Sequence, residues 1–292
     1  MHGPGLRTLA PAKINLALHV TGRRTDGYHL IDTLVTFAEA GDALELKPAV
    51  LDSFTVSGRY GGDVPIDGDN LVLKARDLLR RRFGVVATRP VSIRLVKNLP
   101  VASGIGGGSS DAAALLRGLD AMLGIDAGPE ALGRIGLELG ADLPMCVAGQ
   151  PLTARGIGDE TDPVAPWPQL PIVLANPGVA VATPDVFAQL TRRDGTALPP
   201  LPERRDVAAV LAWLAATRND LEPPAIALAP AISEALAALD ANGARFSRMS
   251  GSGATCFGVF ETMAAADTAA RAIGAAQPGW FVAATQTRGT TP

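Results

Sequence analysis

Four of the five residues from Gly104 to Gly108 are glycine, inside the run Pro100-Val-Ala-Ser-Gly-Ile-Gly-Gly-Gly-Ser-Ser110. Glycine gives up more backbone freedom on ordering than any other residue, so such a run belongs to a loop rather than to the interior of a helix or strand. Before it, Val91–Val96 reads as a strand; after it, Asp111-Ala-Ala-Ala-Leu-Leu reads as a helix with Ser109 or Ser110 as its N-cap. A loop that enters a helix in this way leaves unpaired N–H groups at the positive end of the helix dipole, which is an anion site. Taken alone, the cluster could also be a surface linker. It is not a Walker A loop, because no Gly-Lys-Ser/Thr closes it. Nor does the spacing of Gly104, Gly106 and Gly108 match a dinucleotide fingerprint.

The remaining chain supplies alternating strands and helices. Leu9–Val20 alternates, with Ile14, Leu16 and Leu18 on one face and Lys13, Asn15, Ala17 and His19 on the other. This predicts a strand with one apolar face and one chemically active face. Strands are expected at 31–37, 43–46, 53–56, 172–175, 246–249 and 255–260. Helices are expected from near Asn70, over 129–139, 207–216 and 231–241. Gly140 should stop the second of these, and Pro144 argues against helix at Leu143. The four prolines of 163–171 suggest a boundary or rigid connector, and 192–205 an exposed loop. The 292-residue length suggests two domains or one large one.

The formal net charge of -3 offers no basic excess for a nucleic-acid backbone. No apolar run approaches the ~18–20 residues that span a bilayer, and Met1–Gly5 lacks the apolar core of a signal peptide. Cys146 and Cys256 have no metal-ligand spacing around them and fit a reducing compartment. The expectation is a cytoplasmic protein without nucleic-acid or membrane partners, either a monomer or a weak homodimer.

Lys13 in a strand could face solvent, and Asp142 in Gly-Ala-Asp-Leu-Pro could be a turn or capping residue. Read together with the glycine loop they make a phosphoryl-transfer set: a carboxylate for an alcohol proton, a fixed cation for the transferred group, and a cradle for a triphosphate.

Three signatures in order resemble the GHMP kinase superfamily: Pro-Ala-Lys-Ile-Asn-Leu at 11–16, the loop at 100–110, and Ser-Gly-Ser-Gly at 250–253. Ala-Lys-Ile-Asn-Leu, Asp26-Gly-Tyr-His29, the triple glycine and Gly140-Ala-Asp-Leu-Pro144 are most similar to the branch acting on a cytidyl diphospho-alcohol in isoprenoid synthesis. The resemblance implies a two-domain α+β fold, 1–160 and 161–292, with the active-site cleft between the domains, ATP and Mg²⁺ as cofactors, and that small molecule as partner and phosphoryl acceptor. It makes Lys13 and Asp142 catalytic, and Asn15, Tyr28, His29, Thr183 and Phe187 substrate-binding. The nucleotide falls to Pro100, Val101, Ala102, Ser103, Gly104, Ile105, Gly106, Gly107, Gly108, Ser109 and Ser110. Asn70, Leu71 and Lys97 lie on the adenosine side, and Ser109 is a candidate ligand of Mg²⁺. The loop departs from the family pattern in two places: Val101-Ala-Ser103 replaces a glycine-rich opening, and Asp111 stands where Asn is frequent, adding negative charge near the anion site. The rival readings are another GHMP kinase, of mevalonate or homoserine type, and a catalytically silent relative that only binds a ligand.

Overall fold

The computed structural model describes residues 5–291, so most of the N-terminal stretch read above, 1–4, lies outside the described residues. The chain opens with two long strands, β1 (Leu6–Arg23) and β2 (His29–Pro48), which pair with each other. Two expected strands, 31–37 and 43–46, are thus one. There follow β3 (Ser53–Ser57), α1 (Leu71–Phe83), β4 (Val91–Val96), α2 (Gly107–Leu123), α3 (Gly128–Leu137) and α4 (Leu143–Ala148). The later half contains β5 (Leu152–Arg155), β6 (Glu160–Pro163), β7 (Pro171–Asn176), α5 (Thr183–Ala188), α6 (Val207–Ala215), α7 (Glu222–Leu228) and α8 (Ala231–Ala241). It closes with β8 (Phe246–Met249), β9 (Cys256–Val259), α9 (Met263–Ala276) and β10 (Phe281–Gln286).

These elements form two compact units. The first holds the chain up to Ala12, Gly41–Val101 and Gly106–Gly149. The second holds Lys13–Ala40, Ala102–Ile105 and everything from Gln150 onward. In the first unit β4 lies between β3, parallel to it, and the 43–48 half of β2, antiparallel to it. Helix α1 buries Val72, Leu73, Ala75, Leu78 and Leu79, and α2 buries Ala112–Leu116 and Leu119. In the second unit an antiparallel sheet runs β10-β7-β9-β8, and Leu18 and Val20 of β1 join the core formed with α5, α7, α8 and α9.

Three expectations are corrected by this geometry. Residues Ala10–Val20 of β1 are all buried, so the strand has no open face; Lys13, Asn15 and His19 are 4%, 2% and 1% exposed. Helix α2 begins at Gly107 with Gly106 as its cap, in the left-handed region at φ 63, so Gly107 and Gly108 form the first turn and neither serine is the N-cap. The first turn has few internal hydrogen bonds to lose, which is why glycine is tolerated there. Finally, α4 does start at Leu143, because Pro144 lies in its first turn, where a missing N–H costs nothing.

Candidate active site

In the first unit the glycine loop enters α2, and the helix is fixed against its neighbours. Ser110 donates from its backbone N–H to Gly106 O at 2.8 Å, and its hydroxyl donates to Cys146 Sγ at 3.4 Å. Arg117 of α2 donates to Cys146 O and Val147 O at 2.5 and 3.2 Å. The same two contacts hold the end of α4, whose start is marked by Asp142. Asp142 is half-buried, and its side chain makes no capping bond to α4, so that helix gives no reason for a carboxylate there. Gly106, Gly107, Gly108 and Ser109 keep exposed surface on the first turn. The Ser109 hydroxyl makes no hydrogen bond to another described residue. The departure feared at Asp111 takes another form: its carboxylate is buried and paired with Lys97 at 2.8 Å, so it does not face the anion site as a bare charge.

Asn70 caps α1: its Oδ1 accepts from Val72 N at 2.8 Å and its Nδ2 donates to Pro65 O at 2.7 Å. Leu71 follows it and approaches Gly108, with its Cδ1 3.4 Å from where a β-carbon there would stand. Lys97 points inward, with a side chain only 3% exposed.

In the second unit Lys13, Asn15 and the middle of the loop form one network. Lys13 donates from its main chain to Ile105 O at 2.9 Å and from Nζ to Asn15 Oδ1 at 3.1 Å. Asn15 Nδ2 donates to Thr33 Oγ1 at 2.9 Å, and Thr33 donates onward to Ala17 O at 2.6 Å. The Asn15 amide is thereby held in one orientation, oxygen toward the ammonium. Asn15 N donates to Ser250 Oγ, which donates to Gly104 O, and Thr255 N donates to Ser103 O. The late Ser250–Gly253 turn therefore grips residues 103–104. The approach is so close that a β-carbon on Gly104, at φ 74, would stand 2.6–2.7 Å from Ser250 O and the backbone of Gly253. Asn219 Nδ2 supports that turn by donating to Met249 O and Gly251 O.

Also in the second unit, His29 stacks on Phe187 with centroids 4.7 Å apart. Burial first, then the Arg23 and Arg193 charges, lower the His29 pKa, which favours the neutral ring. Its Nε2 is buried and has no hydrogen-bond partner among the described residues. Tyr28 beside it is 62% exposed, and Thr183 shares a 2.7 Å hydrogen bond with Ser252 of the glycine turn. Asp42, Thr33 and Asn219 escaped the sequence reading. The signal for Asp42 was available: it is a charged residue between the apolar stretches 34–38 and 43–46.

The GHMP kinases N terminal domain matches residues 70–150, and the GHMP kinases C terminal domain matches 200–279. A relative from Mesorhizobium japonicum, a 4-diphosphocytidyl-2-C-methyl-D-erythritol kinase, is 61% identical over 277 residues, covering 95% of this chain and 94% of its own. One of the same name from Brucella melitensis is 56% identical, covering 96% and 94%. The chain belongs to the 4-diphosphocytidyl-2-C-methyl-D-erythritol kinases, within the GHMP kinases. A crystal structure described as 4-(cytidine 5'-diphospho)-2C-methyl-D-erythritol kinase superposes with a TM-score of 0.79 at 36% identity, over 97% of this chain and all of the other. As a 4-diphosphocytidyl-2-C-methyl-D-erythritol kinase, the protein is an ATP-dependent phosphotransferase with a small-molecule alcohol as acceptor. No single helix among the described residues is long and apolar enough to cross a membrane.

Proposed function

We propose that this kinase moves the γ-phosphoryl group of ATP to the 2-hydroxyl of 4-diphosphocytidyl-2-C-methyl-D-erythritol in non-mevalonate isoprenoid synthesis. The observation that carries the reading is likeness over nearly the whole chain to relatives bearing that name. In the step, a bond forms between the acceptor oxygen and the γ-phosphorus while the bond from that phosphorus to the β,γ-bridging oxygen breaks. ADP leaves, and the hydroxyl proton passes to Asp142. Lys13 holds negative charge on the transferred group, as the loose transition state of phosphoryl transfer requires. Its ammonium is kept in place by Asn15 and Thr33, so little reorganisation is needed as charge moves. The backbone of Pro100–Ser110 cradles the phosphates. Asn70, Leu71 and, from behind the loop, Lys97 serve the adenosine side. Asn15 meets the acceptor, and Tyr28, His29, Thr183 and Phe187 take the cytidyl end, the unpaired His29 Nε2 being suited to a base edge.

Among the described residues no cluster of three or more His, Cys, Asp or Glu side chains could cage a metal. That fits a Mg²⁺ ion held mainly by ATP, since Mg²⁺ keeps several waters and takes few protein ligands beside substrate phosphates. The Ser109 hydroxyl, without a hydrogen-bond partner among the described residues, is the ligand we assign. When bound, the ion neutralises charge on the β- and γ-phosphates. The ATP side is assigned to residues 1–160 and the substrate side chiefly to 161–292. We place the kinase in the cytoplasm as a monomer or weak homodimer without nucleic-acid or membrane partners; the two buried free cysteines suit a reducing compartment.

A coupled ADP-release assay decides among acceptors. Turnover with the cytidyl diphospho-alcohol, and none with mevalonate, homoserine or galactose, is expected. The reverse pattern would assign the protein to another GHMP activity, and turnover with no alcohol would leave a silent relative.

A further inference from the structure

Beneath the loop's helix, in the first unit, lie one cation and two carboxylates in a buried cluster. Lys97 Nζ donates to Asp42 Oδ2 at 2.5 Å and to Asp111 Oδ2 at 2.8 Å. The three side chains are 3%, 0% and 4% exposed. Removing such charges from water is costly even when they are paired, so fold stability alone is a poor reason for them. Their connections point elsewhere. Asp42 Oδ1 accepts the backbone N–H groups of Asn98 and Leu99, at 2.5 and 2.8 Å. These residues lead directly into Pro100. Asp111 lies on α2 one turn beyond the first N–H groups of the cradle. The ammonium between the two carboxylates therefore ties the entry of the loop to its exit. It also lies against the cradle, only 3.0 Å from where a β-carbon on Gly107 would stand, with Asp42 Oδ2 at 3.9 Å from the same point.

We propose that Asp42 is a positioning residue for the nucleotide: through Lys97 and the Asn98 and Leu99 amides it fixes the two ends of the 100–110 loop at the separation that aims its N–H groups at phosphate. Lys97 then acts as the pin of this clamp, with its ammonium committed to two carboxylates. The inference rests on the reading of that loop as the ATP cradle, and the two can fail separately.

The experiment compares the parent with Asp42→Asn, Asp42→Glu and Gly106→Val. It measures calorimetric affinity for a non-hydrolysable ATP analogue and for the cytidyl diphospho-alcohol, together with the steady-state constants. Asp42→Asn keeps shape but places an amide against the ammonium and weakens the acceptor for the two amides. The expected result is nucleotide affinity lower by roughly ten- to a hundredfold, the scale of a misplaced binding group, with alcohol affinity unmoved and partial recovery in Asp42→Glu. Nucleotide affinity that is unchanged, or that falls in step with alcohol affinity and thermal stability, would overturn the clamp. If Gly106→Val loses nucleotide and Asp42→Asn does not, the cradle stands and the clamp falls. If Gly106→Val loses nothing, the cradle reading fails and takes the clamp with it. Should Asp42→Asn not fold, amide exchange in the ligand-free parent decides: slow exchange at Asn98 and Leu99 supports a preformed clamp, and exchange at exposed-loop rates refutes it.

Discussion

Asp142 differs from an ordinary helix-start aspartate in leaving its helix uncapped, and Lys13 differs from an ordinary strand lysine in being 4% exposed with its ammonium on an amide oxygen. Asp142→Asn should lower kcat by about 10²–10⁴, the usual worth of a general base, and leave calorimetric affinities for both substrates nearly intact. Lys13→Met should do likewise. The double variant should lose much less than the product of the two, because both residues act on one step; near-parental turnover in Asp142→Asn would reject the mechanism. At the cytidyl end, Phe187→Ala should raise the KM for the alcohol by the ~1–3 kcal/mol typical of a base stack and barely move that for ATP. A matching rise for ATP would reassign the residue. Asp111 makes a pH prediction. Burial first, opposed by Lys97, pushes its carboxyl from 3.8 up to about 7; burial pulls Lys97 down, but its two carboxylate partners outweigh that and leave it raised. A carboxyl with a raised folded pKa binds its proton more tightly when folded, so its contribution to stability falls as pH climbs from the unfolded to the folded value. The stability of the parent relative to Asp111→Asn should therefore fall between about pH 4 and pH 7 and level off above. Urea unfolding of both proteins at pH 5 and pH 8 measures it; an unchanged difference would mean Asp111 titrates normally.

At the scale of elements, the glycines act through backbone contact. Gly104→Ala places a methyl group within 2.7 Å of main-chain atoms on the Ser250–Gly253 turn, at a positive φ that alanine resists. Backbone cannot step aside as a flexible side chain can, so a loss of about 1–3 kcal/mol is expected, read as a lower thermal midpoint; an unshifted midpoint would show that the two turns do not bear on each other. The same level shows what sequence conveys. The strand β4, the start of α1 near Asn70, and α6 and α8 followed from local patterning, because each is specified by neighbours in the chain. Helix α9 had a legible cap, since Thr262 Oγ1 accepts from Ala265 N, but its alanine-rich pattern of small residues gives little contrast between faces. Strands β5 and β6 are four residues each, too short for alternation to register. The start of α2 was misread because two competing caps, serine and left-handed glycine, stand within four positions, and packing chose the glycine.

For the whole molecule, the α+β class, the phosphate loop and the family were legible, since motifs carry them directly. The membership of each unit was not. It depends on contacts between distant residues: Leu18 N donates to Arg218 O, Asp220 N to Leu18 O, and Val20 N to Asp220 Oδ2. Arg248 likewise reaches across the sequence, donating to Leu16 O and to Thr217 O. Nothing in residues 13–40 announces partners two hundred positions away.

That interleaving has a consequence for biosynthesis. The second unit takes Lys13–Ala40 from near the start of the chain and Ala102–Ile105 from the middle, yet is otherwise made from Gln150 onward. While the ribosome is still translating, the first unit can have all its parts, whereas Leu18 and Val20 of β1 must wait for β7, α5, α7, α8 and α9, the elements that complete the core around them. Long-range pairing of this kind is slow and leaves apolar strand exposed. The nascent chain should therefore be a better client for a holdase chaperone before Gln150 and its successors emerge than after release.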